Sequence, residues 1–135
     1  MNSSLGRRTA RSSLAVITTL VASACIAACR DASGSEPRIV VAGGNVARGK
    51  AAISAYGCGS CHVVPGIRTA KGTVGPPLVF WSKRTYIAGE VPNTPDFLVR
   101  WIKAPQVIEP GTAMPNLGVS DAAARDIAAY LYTLH

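Results

Sequence analysis

Residues 58–62 read Cys-Gly-Ser-Cys-His: two thiols three positions apart, with an imidazole directly behind the second. Three chemistries use such a spacing: a redox dithiol, part of a metal site, or an attachment point that ties a cofactor to the chain. A reactive dithiol places its first cysteine at a helix N-terminus beside a βαβ unit, where the helix lowers the thiol pKa. Here the helical pattern precedes the cysteines and no βαβ pattern is present. A structural zinc site takes four Cys or His ligands. Beyond residue 30 the chain offers Cys58, Cys61, His62 and His135, with His62 too close to Cys61 for the usual ligand spacing.

The surrounding pattern is helical and rich in loops. The stretch "NVARGKAAISAY" (45–56) predicts a helix of three turns, capped by Asn45, with Val46, Ile53 and Tyr56 as its apolar positions and Gly57 ending it. Pro65, Gly66, Gly72, Gly75, Pro76 and Pro77 make 63–79 a loop. A short helix follows over Phe97–Pro105, with Thr94 or Asn93 as cap and Pro95 at its first position. Pro105 and Pro110 flank a further loop that leads to "PGTAMPNLG". Ser120 then caps a last helix, in which Ala124, Ile127, Ala128, Leu131 and Leu134 recur at helical spacing. No strand alternation stands out, so the expected fold is all-α, a small domain of helices and long loops. Its large apolar residues are few and dispersed, and a core that thin needs a staple, a metal or a cofactor.

Cys-x-x-Cys-His is the attachment signal for haem c. The two thiols form thioethers with the porphyrin vinyl groups, and the following histidine is placed under the iron. Cys58, Cys61 and His62 are thus the expected attachment residues, and the ring supplies the missing core. Gly59 and Ser60 are small, which suits a tight wrap against the ring edge. A second protein ligand would make the iron an electron carrier, and a methionine would raise its potential. Apart from Met1 the sequence has one methionine, Met114, in a loop marked by proline and glycine. Its rivals are His135 and the lysines. The expected metal ligands are therefore His62 and Met114.

With these residues in place, 45–135 resembles the small class I (mitochondrial-type) c-type cytochromes, with one covalent haem c. In "GKAAISAYGCGSCH", Gly49 matches the glycine that lets the terminal helices cross closely. "DIAAYLYTL" is similar to the last helix, with Tyr130 packing near Gly49. "VGPPL" resembles the family's glycine–proline–x–leucine, which implies that the Pro76 carbonyl accepts a bond from the His62 ring. Trp101 matches the tryptophan that bonds a haem propionate, and the resemblance offers Tyr86 as a second such donor. Two departures stand out. Ile53 replaces an aromatic, and only Lys50, Lys71, Lys83 and Lys103 represent the lysines many members gather near the haem edge.

The N-terminus has a different character. Arg7, Arg8 and Arg11 precede the apolar run "LAVITTLVASACIAA", and "IAAC" ending at Cys29 resembles a bacterial lipobox. Residues 1–29 are expected to be an export signal or a membrane or lipid anchor, with three routes open: lipidation at Cys29, simple cleavage, or a retained span. Residues 30–44 read as a flexible tether. This arrangement implies the periplasmic or extracytoplasmic face of a bacterial membrane. The resemblance implies single-electron carriage rather than catalysis. Expected partners are redox proteins: a dehydrogenase or cytochrome complex on one side and a terminal oxidase on the other. The alternative is a haem subunit of a larger oxidoreductase. The chain carries a formal +7, its basic residues are scattered and no reading motif accompanies them, so nucleic acid is not an expected partner. A six-coordinate iron likewise leaves no seat for a small-molecule substrate.

Overall fold

A computed structural model describes residues 38–135. The signal or anchor expected over 1–29, and the tether up to residue 37, lie outside the described residues. Helix α1 spans Val46–Ala55, and Asn45 caps it by accepting the Arg48 N–H on Oδ1 at 2.9 Å. Gly57 follows in the left-handed region at φ 70°, the conformation in which glycine stops helices. Helix α2, Pro95–Lys103, opens on the Thr94 cap with Pro95 at its start. A single turn, α3, covers Pro105–Ile108, where the sequence had suggested loop. Helix α4 spans Asp121–Leu131, its first turn capped by Ser120 Oγ, which accepts from Ala123 N at 3.2 Å.

The first and last helices pack against each other, and Gly49 sets how closely. A Cβ there would fall on the Asp126 carbonyl and within 3.0 Å of Tyr130 Cβ, so only hydrogen permits this approach. The resemblance placed Gly49 and Tyr130 together, and they meet. Asp126 fixes the register of the crossing. Its carboxylate accepts the Asn45 N–H at 2.7 Å and the Arg48 guanidinium at 2.7 and 2.9 Å. Ile53 on α1 and Ala124, Ile127, Ala128 and Leu131 on α4 are buried, while Val46 faces solvent. Leu98, Trp101 and Ile102 of α2 join them in one core.

Two features depart from the sequence reading. Tyr86–Ile87 (β1) and Val91–Pro92 (β2) pair antiparallel, Tyr86 with Pro92 and Ile87 with Val91. Two residues a side are too few to show an alternation, and the fold remains all-α. The tether also ends before residue 44. Val41 is buried in the core, and Gly44 lies against the Arg125 carbonyl and Ala129 on α4. Among the described residues, no helix is long and apolar enough to cross a membrane.

Candidate haem site

The Cys58–Ser60 turn follows directly on α1 as a short 3-10 segment, which sets Cys58, Cys61 and His62 at the end of that helix. Loop 63–79 folds back over this motif through the backbone. Gly72 N donates to Gly59 O at 3.0 Å, Gly75 N to Cys61 O at 2.8 Å, and Val63 bridges Lys71. The small residue at 59 answers to that loop. A Cβ there would lie 2.7 Å from both Cα and Cβ of Ala70, so its size is dictated behind the motif as well as at the motif's face.

His62 is gripped by the same loop. Its Nδ1 lies 2.7 Å from the Pro76 carbonyl, the contact the resemblance implied. With that carbonyl as acceptor, Nδ1 carries the proton and Nε2 keeps its lone pair for a metal. Gly75 lies flat against the ring, where an added Cβ would come within 2.7 Å of Nδ1. The ring can neither turn nor retreat.

Beside the motif opens a cleft of about 390 Å³. Cys58, Cys61 and His62 line it together with Pro76, Trp101 and Met114, so six of the seven residues singled out from the sequence meet in one cavity. A smaller void of about 50 Å³, walled by Ile53, Leu98, Ile127 and Leu131, adjoins it and shares His62, Trp81, Trp101 and Met114. Met114 sits on a loop tied down from two sides. Its carbonyl accepts from Gln106 Nε2 at 2.7 Å, and its N–H donates to Thr112 Oγ1 at 3.2 Å. The rival ligands are elsewhere. His135 Nδ1 is 2.8 Å from Ser82 Oγ, and neither His135 nor any lysine lines the cleft.

Tyr86 is the exception and is corrected here. It is 57% exposed and does not line the cleft. On β1 successive side chains alternate, and Ile87 takes the inward position. Two residues that the sequence reading passed over stand at the cleft instead. Trp81, on a 3-10 turn over Trp81–Lys83, is 5% exposed, and its Nε1 is the one buried side-chain nitrogen or oxygen among the described residues without a partner. Arg84, which ends that turn, lines the cleft with its guanidinium 4.9 Å from the Trp81 ring centroid. It donates to the carbonyls of Pro77 and Val79.

The residues fit a flat, largely apolar, anionic ring. Both cysteines are free thiols, and burial pushes the Cys58 thiol up, the reverse of what a reactive dithiol needs. The described residues gather no group of three or more Cys, His, Asp or Glu side chains, which leaves a zinc site short of ligands. An apolar cleft that ends in an unpartnered indole N–H and a partly desolvated guanidinium is suited to a group that is greasy in the middle and negative at an edge.

Comparison with known proteins agrees with this geometry. Cytochrome c oxidase subunit 2 of Alkalihalophilus pseudofirmus is 32% identical over 88 residues, covering 64% of this chain and only 25% of that protein. The chain therefore spans about a quarter of that relative's length. No solved structure matches the chain. The cytochrome c family matches residues 46–135, from the first residue of α1 onward. The chain belongs to the cytochrome c family and is an electron-transfer protein with covalently bound haem c.

Proposed function

We propose that this protein is a single-electron carrier with His62 and Met114 as axial ligands, working at the extracytoplasmic face of a bacterial membrane between a dehydrogenase or cytochrome complex and a terminal oxidase. The meeting of His62, its Pro76 carbonyl and Met114 in one cleft carries this reading. Bound there, haem c supplies a one-electron Fe(III)/Fe(II) couple, with a methionine ligand favouring the reduced state. Cys58 and Cys61 would hold the group covalently. The Pro76 carbonyl keeps the His62 proton on Nδ1 and makes Nε2 a stronger donor. The Gln106 and Thr112 bonds hold the Met114 loop in place through changes of redox state, which keeps reorganisation small. Ile53, Leu98, Ile127 and Leu131 exclude water from behind the cleft, while Trp101 stands as the propionate donor that the family resemblance implies. With both axial positions filled by side chains, the partner is another redox protein and not a small substrate. An N-terminal anchor in 1–29 would keep the carrier beside such partners.

Likeness to an oxidase subunit supports a second reading, a haem subunit of a larger membrane oxidoreductase. Stopped-flow mixing of the reduced protein with oxidase-containing membranes separates the two. Fast, saturable reoxidation that slows modestly with added salt is expected of the carrier. Slow reoxidation, with co-purification in a detergent-stable complex, would favour the subunit. Rapid turnover of peroxide without a protein partner would overturn both.

A further inference from the structure

The Trp81 turn has no role in the ligand set, yet it is the most elaborately braced part of the cleft wall. Asn93 Nδ2 donates to the carbonyls of both Trp81 and Arg84 at 3.0 Å, at the two ends of the turn. Asn93 Oδ1 in turn accepts from Tyr132 Oη at 2.9 Å, and Tyr132 is 1% exposed. A buried tyrosine and a bridging amide thus hold a three-residue turn still. Such bracing has a cost in ordered side chains and is sensible only if what the turn presents must be placed accurately.

What it presents is two donors and no acceptor. A buried indole N–H without a partner costs about 1–3 kcal/mol, and native proteins rarely leave one so. Arg84 lies over the same indole and, among the described residues, has no carboxylate partner. Burial holds its guanidinium below the usual arginine range, as expected of a cation partly removed from water without a counter-charge. Arg84 is the only basic side chain other than His62 on the cleft wall; Tyr56, Cys58 and Cys61 are the other titratable groups there. One anion at this corner would satisfy both donors.

We infer that Trp81 and Arg84, positioned by Asn93 and Tyr132, form the seat for one propionate carboxylate of the haem, the indole N–H bonding it and the guanidinium neutralising it. This assigns to Trp81 and Arg84 the place the sequence reading had offered to Tyr86, and leaves Trp101 where it stands. It rests on the reading that the haem occupies this cleft. The functional consequence is electrostatic: a neutralised propionate destabilises the reduced iron less, so the seat raises the potential and keeps it level with pH until the propionate titrates.

The test uses the haem-loaded protein labelled with 15N at the indoles. The sequence contains two tryptophans, so Trp81→Phe assigns the pair of indole cross-peaks. The Trp81 cross-peak should exchange slowly with deuterium and shift as the propionate titrates. Trp81→Phe and Arg84→Gln should each lower the midpoint potential. Arg84→Gln should also move the acid inflection of the potential–pH curve upward by about one unit or more, with Arg84→Lys restoring part of the shift. A Trp81 indole that exchanges freely and ignores pH would overturn the seat, as would variant curves that superimpose on the parent. If a variant accumulates no haem-loaded protein, the parent's own Trp81 cross-peak decides. A haem stain and the methionine-ligated spectrum of the same samples identify a failure of the cleft reading itself.

Discussion

His62 and Met114 reach the same cleft from opposite directions in sequence, and the two are held differently. His62 is fixed by direct contacts to its own ring, from Gly75 and the Pro76 carbonyl. Met114 is held through its backbone, by Gln106 and Thr112, which leaves its side chain free to settle on a ligand. Met114→Ala should therefore leave the loop folded while removing the weak charge-transfer absorption at the red end of the oxidised spectrum. The potential should fall by a sizeable fraction of the ~0.8 V that axial ligands span. An unchanged oxidised spectrum would assign the sixth position to another group. At this scale the sequence was legible where scarcity or adjacency pointed to a residue. Met114 is the single methionine past Met1, and His62 directly follows Cys61. It was not legible where direction in space decides. Tyr86 and Ile87 are neighbours, and only the pairing with β2 reveals that Ile87 turns inward. Trp81 could not be recognised either, because a lone indole donor is visible only once every possible acceptor has been placed.

Among the elements, the crossing of α1 and α4 depends on Asp126, which is 5% exposed and accepts three hydrogen bonds from the start of α1. The Arg48 guanidinium, aided by the Asn45 N–H, holds this carboxyl below the usual carboxylate range. A lowered acid stabilises the fold above its unfolded pKa of 3.8, and that stability is lost as pH falls through the lower folded value. Asp126→Ala should cost about 2 kcal/mol at neutral pH in denaturant titrations of the haem-loaded protein. Below pH 3 the gap between variant and parent should close. A gap that persists at low pH would mean packing, and not charge, carries the effect. The three longer helices were readable because their caps are written in side chains: Asn45, Thr94 and Ser120 each accept an N–H of the first turn. The hairpin and α3 were not, since two-residue strands and a single turn between prolines carry no periodicity.

For the whole molecule, the apolar residues gather around a cleft and not around one another, so the haem is part of the core. A Cys58→Ala/Cys61→Ala double variant should lose most of its helical far-UV dichroism, and a fully helical colourless protein would refute that dependence. The all-α class and the site's location followed from the sequence because one short motif specifies the cofactor, and the cofactor demands the core. The buried tyrosines add a limit at high pH. Burial pushes the Tyr132 phenol up to about 12 and raises Tyr130 as well. A raised phenol stabilises the fold fully below its unfolded value of 10, and this is lost as pH climbs from 10 toward 12. Stability should therefore decline over that window, and Tyr132→Phe should flatten the decline when followed by denaturant titration. The α1–α4 crossing also has a consequence in time. Roughly 65 residues separate Ala55 from Asp121, and closing a loop of that length costs about 4 kcal/mol by ideal-chain scaling. As the chain emerges, α1 and the Cys58–His62 motif appear long before the helix they pack against. Until α4 arrives, nothing covers the two thiols, and an attaching enzyme has its interval to act. Delaying α4 should lengthen that interval, and covalent loading of haem is a race the late helix is placed to lose.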